Sequence, residues 1–152
     1  MVQVPDSLVW QLTSRHTSFM RKMNGRTTRS GSISFSTERG NLRSVSTRRH
    51  TGLAQSKTVH IESTASNTAV LTSKTASQAH VHPSKARAVV PLNKNYRRTE
   101  KTIRALVEKS GYRPDLTKDA LKKYSAVYAG NRYARGVKKV VPVKKGRGKS
   151  SN

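Results

Sequence analysis

The chain has 152 residues, with 31 Lys and Arg against 7 Asp and Glu, a formal net charge of +24, and no cysteine. That length suits one domain with extensions, the missing cysteines exclude disulfides and thiolate metal sites, and no apolar run approaches the roughly 18 residues that span a bilayer. Charge of one sign repels itself in a compact body and attracts polyanions over long range, so the expected partner is a nucleic acid rather than a membrane.

Leu, Ile, Val and Phe together number 29, about 19% of the chain, at the border where a charged chain stays disordered alone. A small folded body with arms is therefore expected, and the patterns along the chain make its class α+β: a small antiparallel sheet in the N-terminal half, packed with two short C-terminal helices, plus an extended basic linker and tail. Residues 1–72 are expected to form the β body, 73–92 a linker or extended loop, 93–130 a two-helix segment packing on the body, and 131–152 a basic tail that is either disordered or ordered by a nucleic-acid partner.

In chain order, LVWQLT alternates Leu8, Trp10 and Leu12 with Val9, Gln11 and Thr13, a half-buried strand pattern. The Arg- and Ser-rich segment after it has the flavour of a transit peptide, which would not need that alternation. Strand patterns recur at SFMRKM, SISFST, TVHIES and TAVLTS, separated by turn formers at Asn24-Gly25, Ser30-Gly31, Gly40-Asn41 and Ser66-Asn67. Asn24-Gly25 is the best hairpin candidate, and the sheet is expected to keep one wet face. From Ser73 to Pro91 the pattern fades into a polar linker.

The period then changes. TEKTIRALVEKSG places Ile103, Leu106 and Val107 on one stripe, with Glu100 in the first turn and Gly111 as a left-handed cap. Pro114 forces Arg113 out of helical geometry, Asp115 or Thr117 caps the next helix, and Asp119 sits near its positive end. Ala120, Leu121, Tyr124 and Val127 or Tyr128 line that helix, with Gly130 as its stop. Tyr112 staples the corner, and Arg113 projects from it.

Chemistry beyond binding has little support. The acids at 6, 38, 62, 100, 108, 115 and 119 form no evident pair, and no nucleophile or nucleotide fingerprint appears. A ribonuclease built on His16, His50 and Lys57 can be imagined from residue types alone. His80 and His82 lack further metal ligands, so neither a metal nor a cofactor is expected.

Cations and tyrosines carry more information. Residues 73–152 hold 21 basic against 4 acidic residues, and residues 1–72 hold 10 against 3. All five tyrosines lie in the more basic half, where aromatics interleaved with cations can stack on splayed bases. Tyr124 and Tyr128 fit the helix seam, whereas Tyr96 and Tyr133 are stacking candidates. The phosphate-binding candidates are Arg15, Lys22, Arg48, Arg49 and Lys57 in the first half. In the second they are Lys94, Arg97, Arg98, Arg104, Arg113, Lys122, Lys123, Arg132, Arg135, Lys138, Lys139, Lys144 and Lys145. Arg113 leads among them, because the proline corner restricts its fork.

Several motifs occur together in a fixed order: Leu8-x-Trp10, Ser18-Phe19, Phe35-Ser36-Thr37-Glu38, Asn41-Leu42, Gly52-Leu53 and Lys57-Thr58-Val59. They are followed by Asn93-Lys94-Asn95, Ile103-Arg104, Tyr112-Arg113-Pro114-Asp115-Leu116 and Lys122-Lys123. Over roughly residues 8 to 128 this resembles the eukaryotic large-ribosomal-subunit protein twenty-eight family. TRSGSI looks like an insertion, residues 73–88 match poorly, and the tail agrees only in character. The resemblance implies a non-enzymatic constituent of the cytoplasmic 60S subunit, assembled in the nucleolus, with an α+β body against ribosomal RNA and neighbouring ribosomal proteins. It implies no membrane, small-molecule substrate, cofactor or homo-oligomer. The rival from another class is a chromatin-type packaging protein, which also joins a small body to basic tails.

Overall fold

A computed structural model describes residues 4–22, 34–75, 77, 82 and 85–136. The chain opens with a helix, α1 (Asp6–Thr13), where the alternation of LVWQLT suggests a strand. The stretch is short enough to satisfy both periods, and its start decides between them. Pro5 (φ −65°) lends its carbonyl to the amides of Leu8 and Val9, while Asp6 sits in the first turn, where the helix dipole favours an anion. Asp6 also accepts from the Ser56 amide at 3.1 Å. Leu12 remains 68% exposed, so no sheet covers this segment.

Two short strands, β1 (Met20–Lys22) and β2 (Ser34–Ser36), pair antiparallel with Met20 opposite Ser36. The Asn24-Gly25 and Ser30-Gly31 turns and the TRSGSI insertion lie outside the described residues. A second antiparallel sheet has the order β3-β4-β5, with β3 at Val59–Ser63, β4 at Ala69–Lys74 and β5 at Arg87–Pro91. Asn67, at φ 57°, lies in the turn between β3 and β4, a conformation Asn tolerates better than most residues. β5 occupies what reads in sequence as the end of a linker. It is an edge strand, four of its five residues are exposed, and an edge needs no inward alternation to be held by its ladder.

The period-two pattern of the hairpin places Val59, Ile61, Ala69 and Leu71 on one face, all buried. Helices cover that face. α2 (Tyr96–Arg104) begins three residues earlier than the apolar stripe suggests, because the Asn95 side chain accepts from the Arg98 amide. Its last turn widens into a π-helical turn over Ala105–Lys109, with the Ser110 amide bonded to the Ala105 carbonyl. Gly111, at φ 65°, then reverses the chain as a left-handed cap.

After a 3-10 turn at Pro114–Leu116 comes α3 (Thr117–Ala134). Neither Asp115 nor Thr117 caps it: Thr117 donates to the Pro114 carbonyl at 2.9 Å, and Asp115 turns toward arginines. Gly130 does not stop it either. The helix continues to Ala134, and Gly136, at φ 84°, follows it. Ile103, Val107, Leu116, Ala120 and Tyr124 meet the sheet residues in a single core. The fold is thus α+β, two small antiparallel sheets with helices mostly in the C-terminal half.

Candidate nucleic-acid interface

α2 concentrates the exposed positive charge. Four of its nine residues are cationic, and Arg97, Lys101 and Arg104 recur at spacings of four and three, which puts them on one face with Arg98 beside it. Thr99 and Ile103 are the buried positions, so packing of the other side turns these cations outward. Arg104 is held between Glu100 (2.9 Å) and Glu108 (3.8 Å). Among the described residues no carboxylate pairs in that way with Arg97, Arg98 or Lys101. Lys101 belongs to this stripe but sits apart from the sequence clusters, where only i, i+3 and i+4 bookkeeping on the correct helix start would have found it.

The corner after α2 behaves differently. The Arg113 side chain is only 14% exposed and makes four hydrogen bonds inside the molecule. Its Nε and Nη2 grip the Asp115 carboxylate at 2.8 and 2.9 Å, Nη1 donates to the Lys57 carbonyl at 2.8 Å, and Nη2 donates to the Arg49 carbonyl at 2.9 Å. The expectation that Arg113 projects outward is therefore corrected: its fork ties the corner to two loop carbonyls. The Arg113 hydrogen bonds, with Arg49 nearby, hold the Asp115 carboxyl below the usual carboxylate range against the opposing effect of burial. Arg49 adds a hydrogen bond to the Asp115 carbonyl and lies 3.4 Å from its carboxylate.

Tyr112 closes the same corner. Its hydroxyl accepts from the Thr58 amide at 3.1 Å and lies within donating reach of the Lys74 and Thr58 carbonyls. Burial pushes its pKa up, which keeps the phenol neutral and able to donate. Lys57 Nζ sits 5.8 Å from the centre of this ring, within cation–π range.

The remaining candidates divide by environment. Arg15, Arg48, Lys57, Lys94, Lys122 and Arg132 are exposed, and Lys123 is partly buried. Lys22 ends β1. Arg135 donates to the Asn67 carbonyl at 2.6 Å, bringing the end of α3 to the β3–β4 turn. Tyr133 is exposed on the last turn of α3. Tyr96 is not a free stacking face. It lies 5.4 Å from Tyr124, nearly parallel at 23°, and 5.4 Å edge-on from Tyr128, so it completes an aromatic seam between α2 and α3. Lys138, Lys139, Lys144 and Lys145 lie outside the described residues. His50, from the imagined ribonuclease set, is buried between Thr47 Oγ1 (2.8 Å) and Asp119 Oδ2 (3.2 Å) and ties its turn to α3.

Comparison with known proteins adds an independent line. The profile of the Ribosomal L28e protein family matches residues 8–130. Among curated proteins, the chain is similar to the large ribosomal subunit protein eL28 of Schizosaccharomyces pombe. The two are 29% identical over 132 residues, covering 86% of this chain and 96% of that protein. The matched span runs from α1 through nearly all of α3.

Proposed function

This chain belongs to the ribosomal L28e protein family, and we propose on that premise that its structural role in the large ribosomal subunit is performed by binding ribosomal RNA through phosphate contacts. The observation that carries the RNA reading is the outward stripe of Arg97, Arg98 and Lys101 on α2, positioned by burial of Thr99 and Ile103 behind it. Cations fixed on a helix anchored in a core lose less freedom on binding than the same cations on a loop, so they give position as well as affinity.

The basic residues of the C-terminal segment 137–152 add phosphate contacts during assembly. Cytoplasmic ribosomes are the site of action, with assembly beginning in the nucleolus. Neighbouring ribosomal proteins are the other partners in this reading. No reaction is part of this role.

The test is sucrose-gradient fractionation of cells carrying the tagged full chain, with a salt wash before sedimentation. Retention with large subunits is the expected result. Recovery with chromatin, or free at the top of the gradient, contradicts the proposal.

A further inference from the structure

The face of the second sheet opposite the helices is not bare. His60, Thr72 and Lys74 alternate with the core residues along β3 and β4, and Arg87 pairs with Lys74 across β4 and β5. The loops around Arg39 and Leu53, with Phe19 from the turn that leads into β1, stand over this face and leave a cleft of about 380 Å³. Its position is fixed by backbone contact. A Cβ on Gly52 would fall 2.0 Å from the Arg39 carbonyl, and one on Gly40 would meet Thr58 Oγ1 at 3.0 Å, so the loops touch where only glycine fits.

Two kinds of chemistry meet in this cleft. Phe19 and Leu53 line it yet remain 43% and 39% exposed. Arg39, Lys74 and Arg87 supply positive charge. The lining carboxylate, Glu38, is buried and already accepts from Asn41 Nδ2 (3.2 Å) and the Gly52 amide (3.1 Å). Arg39 reaches out to Glu62 in a pair whose arginine side chain is 61% exposed, an arrangement water screens and a phosphate can replace. Lys74 Nζ donates to the Gln55 carbonyl at 3.0 Å, but an apolar segment of another protein that covered the aromatic ring would press Arg87 against hydrocarbon without an anion from the cleft, which is costly. A nucleotide brings a π face and a negative charge together. The volume is at the small end of ligand sites and excludes a duplex.

We propose that this cleft receives one unstacked nucleobase of the bound RNA, stacked on Phe19, with the adjoining phosphates against Arg39 and Arg87. The inference rests on the RNA-binding reading above and names a contact within it that the helical stripe does not provide.

The test places p-azidophenylalanine in the full chain, as Phe19→p-azidophenylalanine and Leu53→p-azidophenylalanine, and irradiates purified large subunits that contain it. Both variants are expected to form adducts with ribosomal RNA, with reverse-transcription stops at the same nucleotide or its immediate neighbours. Adducts to a neighbouring protein, to this chain itself, or to no RNA from either position overturn the cleft proposal while the chain still sediments with large subunits. Failure of the unaltered chain to sediment there defeats the RNA reading instead.

A second arm needs no assembly. The purified full chain is titrated with two single-stranded RNA oligonucleotides of equal length, one carrying bases and one abasic. Phe19→Ala is expected to reduce the preference for the base-bearing strand by about fivefold or more, the lower part of what one base–aromatic stack contributes. An unchanged ratio overturns the proposal.

Discussion

Each of the seven acids in this very basic chain has a partner on the chain itself. Asp6 accepts from Ser56, Glu38 from Asn41 and Gly52, and Glu62 from Arg39. Glu100 and Glu108 flank Arg104, Asp115 binds Arg113, and Asp119 faces His50. Acids here are fasteners. Arg113 and Tyr112 show the consequence at residue scale, since both join loops distant in sequence to one corner. Tyr112→Phe removes the hydroxyl that engages the Thr58 amide and the Lys74 carbonyl, and is expected to destabilise the body by about 1–3 kcal/mol in denaturant unfolding. Because the folded pKa of Asp115 is depressed, its contribution is present above the ordinary carboxylate value and is lost as pH falls through the lower folded one. Asp115→Asn should therefore weaken the protein at neutral pH and flatten its acid unfolding below about pH 4. His60 has the same sign for another reason: burial, the largest influence, lowers its pKa despite Glu62, with Arg39 and Lys123 reinforcing the shift. Stability should decline as pH drops below about 6.5, and His60→Gln should remove that part of the slope. The sequence put Arg113 at a rigid corner correctly, but the direction of its fork depends on the Lys57 and Arg49 carbonyls, more than fifty residues away, which no local pattern encodes.

At the scale of elements, legibility follows how much of an element's stability is local. β3 and β4 were readable because burial of one face imposes strict alternation on Val59, Ile61, Ala69 and Leu71. Ile103 and Val107 were readable for the same reason at a period of 3.6, whereas Leu106, placed on the same stripe, is 37% exposed on the π-helical turn. β5 was not, because an edge strand held by Leu71–Val90 and Thr72–Val89 pairing needs no apolar face of its own. α1 misled because six residues satisfy two periods, and the Pro5-Asp6 start was the signal to weigh. Gly130 misled because a helix packed along one side tolerates a glycine on the other, at a cost of about 1 kcal/mol. Packing carries the rest: Ile103 is fully buried between helix and sheet, and Ile103→Ala is expected to cost about 2–5 kcal/mol. Thermal unfolding followed by circular dichroism checks this, and a shift no larger than that of the exposed substitution Ser125→Ala would contradict the packing account.

For the whole molecule, internal consumption of the acids leaves the exposed cations of α2 to a partner of opposite charge, and the sequence of the C-terminal segment adds more positive charge. A body with this charge is compact at the expense of self-repulsion, which phosphate neutralisation relieves. Net charge alone made that legible before any coordinate. Which cations face outward was not legible, since Arg113 and Arg104 are engaged at home while Lys101 is presented. The most direct test is the salt dependence of the full chain's affinity for purified large-subunit ribosomal RNA. If roughly 6–10 phosphates are neutralised, affinity should fall about a thousandfold or more between 50 and 200 mM salt. The triple variant Arg97→Ala, Arg98→Ala, Lys101→Ala should reduce the slope by about three. A slope near zero, or one the triple variant leaves unchanged, would contradict the assignment of α2 as the positioned phosphate-binding face.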